Sequence, residues 1–272
     1  MLEQVQVYAK GEPTEFEAML PELAAADIVF VGENHDHKQG HALELAVLEG
    51  MLRQKPDLIL GLEMFERDVQ LVLDEYRAGH ITEAHFLKAA RPWENYRQDY
   101  APLVDLCIAN GLPLVATNAP RRYVNIVSRK GQAALRELPA ASLPYISPLP
   151  YPMDLPAEYD HQLTAIFTEG VEPSAASAAA TRRMKEAQGL WDATMADSIR
   201  LAMGRYPGRT LLHINGCMHS DSGYGIAARL RTLLPDARIK IVTIKPYAGF
   251  PNRPNLPLET WADFVLLTPE ED

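Results

Sequence analysis

Six short apolar runs, each bounded by turn residues and separated from the next by a helical pattern, constrain this chain more than any other feature. They occupy residues 27–31, 57–62, 112–117, 209–214, 238–244 and 263–267. Each is rich in leucine or β-branched residues, as strands buried on both faces tend to be. Helical patterns lie between them at 41–54, 69–78, 94–110, 125–138, 185–204 and 225–234; in the first, Leu45, Leu48 and Leu52 recur at helical spacing. Strand and helix in alternation predict an α/β fold, a mainly parallel sheet flanked by helices. All 272 residues fit one such domain, with a core of ample size at 47% hydrophobic residues.

The rhythm breaks once. Residues 139–180 are rich in Pro, Tyr, Ala and Ser, with Pro144, Pro148, Pro150, Pro152 and Pro156 interleaved with Tyr145, Tyr151 and Tyr159. A segment this long inside a compact domain is usually a binding insertion or a lid. It is expected as a helical or irregular insertion over the carboxyl edge of the sheet, with the Ala-rich stretch from Ser174 starting a helix.

Charge narrows the partners. The net charge is −10, and no basic run is longer than the pairs Arg121-Arg122 and Arg182-Arg183. Nucleic-acid binding relies on clustered Lys and Arg, so it is not expected. The two cysteines, Cys107 and Cys217, form no Cys-x-x-Cys unit, which removes zinc-knuckle, thioredoxin-like and c-type haem readings. No apolar run approaches the roughly 20 residues a membrane span needs. The start Met1-Leu2-Glu3-Gln4-Val5 lacks a basic and then apolar leader. A cytoplasmic location is expected of the chain as given, and an envelope location if a signal has been removed.

The chemistry gathers where the strands end. Gly32-Glu33-Asn34-His35 follows the first run, Glu63 the second, Asn118-Ala119-Pro120-Arg121-Arg122 the third, and Asn215-Gly216-Cys217-Met218-His219 the fourth. Ligands of open parallel sheets bind outside the carboxyl ends of the strands. A lone histidine after a strand is more often a cap or core residue than a ligand. Two Gly-x-x-His units at strand ends with Glu63 between them point instead to a divalent-metal site of His35, Glu63 and His219. Glu33 would orient a histidine or serve as a base, and Arg121 would hold an anionic group. Asn118, Gln188 and Asp192 are expected to support that site, the last two sharing a helix face four residues apart. His37 and His41 read as surface or supporting residues, and His213 as structural. Dinucleotide, phosphate-loop and nucleophile-elbow motifs are absent.

Gly32-Glu33-Asn34-His35, Leu62-Glu63-Met64-Phe65, Asn118-Ala119-Pro120-Arg121, Trp191-Asp192-Ala193-Thr194-Met195-Ala196, and Gly216-Cys217-Met218-His219 with Gly223-Tyr224-Gly225-Ile226 occur in that order. This set resembles the ChaN-like haem-binding uptake proteins, in the superfamily that holds the Tiki and TraB proteins and the erythromycin esterases. The resemblance implies haem held at a homodimer interface with a tyrosine on the iron, for which Tyr151 and Tyr159 are the best placed. It also implies, as the alternative, a metal-dependent hydrolase of esters or amides that uses Mn, Zn, Fe or Co at His35, Glu63 and His219.

Overall fold

The computed structural model describes residues 4–270. Strands β1 (Gln6–Ala9), β2 (Glu12–Thr14), β3 (Ile28–Glu33), β4 (Leu58–Glu66), β5 (Leu114–Asn118), β6 (Thr210–Gly216), β7 (Ile239–Pro246) and β8 (Phe264–Thr268) form one sheet. Its order is β2-β1-β8-β7-β3-β6-β4-β5. β1 pairs antiparallel with β2 and β8, while the pairings from β8 across to β5 are parallel. The mainly parallel α/β architecture expected of the sequence is the one observed.

Helices α1 (Phe16–Ala24), α2 (Lys38–Gln54), α3 (Gln70–Arg77), α4 (Glu83–Ala90), α5 (Tyr96–Asp99), α6 (Ala101–Ala109), α7 (Arg121–Lys130), α8 (Ala157–Thr168), α9 (Ala175–Arg205) and α10 (Gly225–Leu233) flank the sheet. The alternation of β3 divides the core between them. Val29 and Val31 join Leu43, Val47, Leu48 and Met51 of α2 on one face. Ile28 and Phe30 join Met195 and Ile199 of α9 and Ile226 and Leu230 of α10 on the other. All six residues of β3 are buried, as a central strand's should be.

The connectivity places the carboxyl ends side by side. β6 enters late and inserts between β3 and β4. His35 just beyond β3, His219 just beyond β6, and Glu63 within β4 therefore lie on three neighbouring strands, at the ~4.8 Å spacing of a ladder. The region 139–180 is partly helical. The 3₁₀ stretch Ala140–Tyr145 leads to α8 and into α9, which Ser174 opens with a reciprocal capping bond to Ser177.

Candidate functional site

The local sequence explains how each side chain arrives. Pairing between β3 and β6 ends at Glu33 opposite Gly216, and both chains then turn over the edge. β4 runs on to Glu66, so Glu63 sits inside the strand rather than after it. Its ladder to β6 stops at Leu62 opposite Ile214, and its pairing with β5 shifts register between Leu62 and Glu66. That irregularity lets the Glu63 side chain take the place of the missing ladder acceptor: Gly216 N–H donates to Glu63 Oε2 at 2.8 Å.

The two histidines repeat one device. His35 Nδ1 donates to Glu33 Oε1 at 2.6 Å, and His219 Nδ1 donates to Asp192 Oδ1 at 2.6 Å. A carboxylate on Nδ1 fixes the ring and leaves Nε2 to face the site. His219 Nε2 stands 3.4 Å from Glu63 Oε1. His35 Nε2 and Glu63 Oε2 lie 2.9 and 3.8 Å from the point a side-chain carbon on Gly216 would occupy. The cradle exists because residue 216 has no side chain.

Further side chains lock these groups. Tyr159 Oη donates to Asp192 Oδ2 at 3.0 Å, and the Gln188 carboxamide lies 3.1 Å from His219 Nδ1. Tyr100 Oη donates to Glu33 Oε1 at 2.8 Å. Behind Glu33, His41 Nδ1 is 3.1 Å from Glu33 Oε2 and 3.4 Å from Glu44 Oε2. Among the described residues, Glu33, His41 and Glu44 form a buried group whose potential ligand atoms all lie within 4.8 Å of one another. His35, Glu63 and His219 are spread more widely, with His219 and Glu63 in contact and His35 across Gly216.

Charges follow from these contacts. Burial works against the His219 imidazolium, but the Glu63 and Asp192 carboxylates outweigh it and hold its pKa well above the ordinary range. Burial opposes the Glu63 carboxylate in turn, and the His219 charge brings it below its ordinary value. For His35, burial is again outweighed by the bond to Glu33, and the net direction is upward. His41 is pushed up to about 11 because Glu33 and Glu44 outweigh its burial. Glu44 rises well above the carboxylate range through burial and the charge of Glu33.

The remaining sequence candidates fall as follows. Asn118 is buried at the end of β5, and its Oδ1 accepts from Ala119 N–H at 2.9 Å. Arg121 opens α7, exposed, with its guanidinium 5.8 Å over the Trp93 ring. Trp93 packs edge-on against His35 at 4.8 Å. Tyr151 and Tyr159 are buried; Tyr151 Oη donates to the Glu186 carbonyl at 2.8 Å. Burial raises both phenols above their ordinary pKa. His213 is held between Thr117 Oγ1 and Asn215 Oδ1, and burial pushes it down to about 4. His37 and His41 are buried rather than on the surface, and His41 supports Glu33. Trp93, Tyr100 and Glu44 are the residues that sequence reasoning missed, because nothing local to them marks the site.

His35 and His219 line one open pocket of about 870 Å³ above the edge, with Lys38, Asn95 and Asp99 on its rim. The His35 side chain is 47% exposed there, against 9% for His219.

Residues 19–230 match the family described as haem-binding uptake, Tiki superfamily, ChaN. Among solved structures, the chain is similar to ChaN of Campylobacter jejuni, reported for cofacial heme binding, at 18% identity and a TM-score of 0.75 over 98% of each chain. It is also similar to an erythromycin esterase in its open conformation, at 12% identity and a TM-score of 0.52, over 97% of this chain and 83% of that one. At these identities the likeness is one of fold. A curated relative, Protein RETICULATA-RELATED 5, chloroplastic, of Arabidopsis thaliana, is 25% identical over 245 residues, 84% of this chain and 32% of the relative. The chain thus spans about a third of that relative's length. Among the described residues, no helix is long and apolar enough to cross a membrane.

Proposed function

The chain belongs to the ChaN family of haem-binding uptake proteins in the Tiki superfamily, and from that footing we propose that it binds haem, with His35 contacting the iron at the mouth of the carboxyl-edge pocket. The observation that carries this is the state of His35: a half-exposed imidazole on the pocket wall, its Nδ1 engaged by Glu33 and its Nε2 beside the bare Gly216. An axial histidine needs this arrangement, since the bond at Nδ1 sets the tautomer and strengthens Nε2 as a donor. Trp93 packs perpendicular to its ring, and the exposed Arg121 guanidinium over Trp93 offers a partner for a propionate. The phenols of Tyr151 and Tyr159 already donate to internal acceptors, so a tyrosinate ligand would have to break those bonds. This favours the imidazole. A half-exposed ligand suits passing haem on, in uptake or handling, more than retaining it.

Haemin added to the purified chain should give a shifted Soret band, lost in His35→Ala and kept in Tyr151→Phe and Tyr159→Phe. The loaded chain should yield its haem to apomyoglobin. No shift with the wild type would end the reading, and loss in a tyrosine variant alone would move the haem beneath the insertion.

A second reading rests on a separate distance. Two donors bonded at ~2.1 Å to one tetrahedral ion stand about 3.4 Å apart, and Glu63 Oε1 and His219 Nε2 stand 3.4 Å apart. With His35 as a third donor, a divalent ion of the Mn, Zn, Fe or Co kind would polarise water for ester or amide hydrolysis. Elemental analysis should then find metal in the wild type and none in His219→Ala.

A further inference from the structure

A second cavity of about 480 Å³ lies beneath the insertion, away from the His35 pocket. Much of its wall is apolar or aromatic: Pro148, Leu155, Tyr151 and Tyr159 from the insertion, and Ala193 and Ala196 from α9. The two alanines make the room, and proline contributes no N–H to the wall. Ligand pockets of this size are typically apolar with a few fixed polar groups.

Two polar groups here lack partners. Arg229 Nη1 donates to the Pro152 carbonyl at 2.9 Å, but Arg229 Nη2 is buried with no hydrogen-bond partner. Ser147 is 4% exposed, and its Oγ is likewise buried and unpartnered. Both residues line the cavity. The Asp197 carboxylate, also on the wall, is already matched by Arg67 at 2.8 Å and Arg200 at 2.7 Å. Asp154 is exposed at the rim. Burying an unmatched donor costs about 1–3 kcal/mol, more for a charged one. Neither atom is open to the cavity, but the half-buried Arg229 guanidinium stands on its wall and, among the described residues, pairs with no carboxylate, so an anionic head-group there would supply its counter-charge.

We infer that this cavity binds an amphipathic monocarboxylate, its acyl chain against the proline and alanine walls and its carboxylate on Arg229. This rests on the assignment of haem to the other pocket, with which the cavity shares no lining residue. The test uses the haem-free chain and calorimetric titration with dodecanoate, with dodecanol as the uncharged control. Wild type should bind dodecanoate more tightly than dodecanol. Arg229→Met should weaken dodecanoate roughly tenfold to a hundredfold and leave dodecanol unchanged. Ala228→Phe, which narrows the cavity from a half-buried position on α10, should weaken both, and an unaltered melting temperature shows that each variant folds. Saturating haemin should leave dodecanoate affinity unaltered. No dodecanoate binding by the wild type would overturn the inference, as would equal binding by both variants, or competition with haemin.

Discussion

Gly216→Ala separates positioning from folding at the proposed haem contact. The new Cβ would stand 2.8 Å from His35 Cε1 and 2.9 Å from Nε2. Carbon and nitrogen pack comfortably at about 3.5 Å, so the imidazole must retreat by roughly half an ångström or more. The backbone does not resist, since φ −55° and ψ 136° at Gly216 are open to alanine. Alanine also restricts the unfolded chain, which favours the variant by about 0.4–1 kcal/mol. Against this stands a weakened Glu33–His35 bond. A charged hydrogen bond contributes about 1.5–3 kcal/mol when buried, and much less where one partner is half-exposed to solvent. The two effects nearly offset, so urea denaturation should place the variant within about 1 kcal/mol of wild type. Haemin affinity, read from Soret titration, should fall at least tenfold, the equivalent of ~1.4 kcal/mol. Wild-type haemin affinity in Gly216→Ala, alongside loss of binding in His35→Ala, would refute the claim that the bare Gly216 edge positions the imidazole. A stability loss of several kcal/mol would refute the claim that His35 is free to yield.

Three further outcomes follow from the same contacts. Tyr159→Phe removes the donor on Asp192 Oδ2 inside a buried pair, and urea denaturation should show a loss of about 1–3 kcal/mol; no loss would mean that Asp192 is held by His219 alone. His41 has a folded pKa near 11, above its unfolded 6.5, so its contribution is complete below pH 6.5 and declines as pH rises toward 11. The unfolding midpoint should therefore drop between pH 7 and pH 9.5, with a shallower drop in His41→Gln; parallel curves would contradict the raised value. Haemin binding at His35 must displace a proton from an imidazole whose pKa is raised, so affinity should increase with pH through the neutral range, and a pH-independent affinity would put the iron elsewhere.

The sheet was legible because strands buried on both faces must be apolar, and the six runs mark β3 to β8 within a few residues at each end. β1 and β2 escaped notice since strands of four and three residues are too short to carry a pattern of their own. α8 was hidden by the proline-rich composition around it, and the extension of β4 past Leu62 by an irregularity that only its two neighbours reveal. In the site, glycine followed by histidine at a strand end is a local signal, and Gln188 with Asp192 is a helical one. Tyr100, His41 and Glu44 gather on Glu33 through the packing of α2 and α6 on the sheet, and no spacing in the chain encodes that meeting.

The two Gly-x-x-His units share one spacing and one bond at Nδ1, yet they are not equivalent. The difference comes from what lies above each. α9 brings Asp192 and Gln188 over His219, and Tyr159 of the insertion closes on Asp192, so that imidazole is buried between two carboxylates. Against His35 Trp93 packs edge-on, and the ring keeps nearly half its surface. A charge held on both sides in a buried setting resists exchange, whereas a half-exposed one gives up its proton to an incoming ligand at lower cost. His219 is therefore suited to anchoring Glu63 and the floor of the pocket, and His35 to meeting what enters it. α9 supplies most of that asymmetry through Asp192 and Gln188, and the segment between Pro139 and Ala180 adds to it by setting Tyr159 on Asp192.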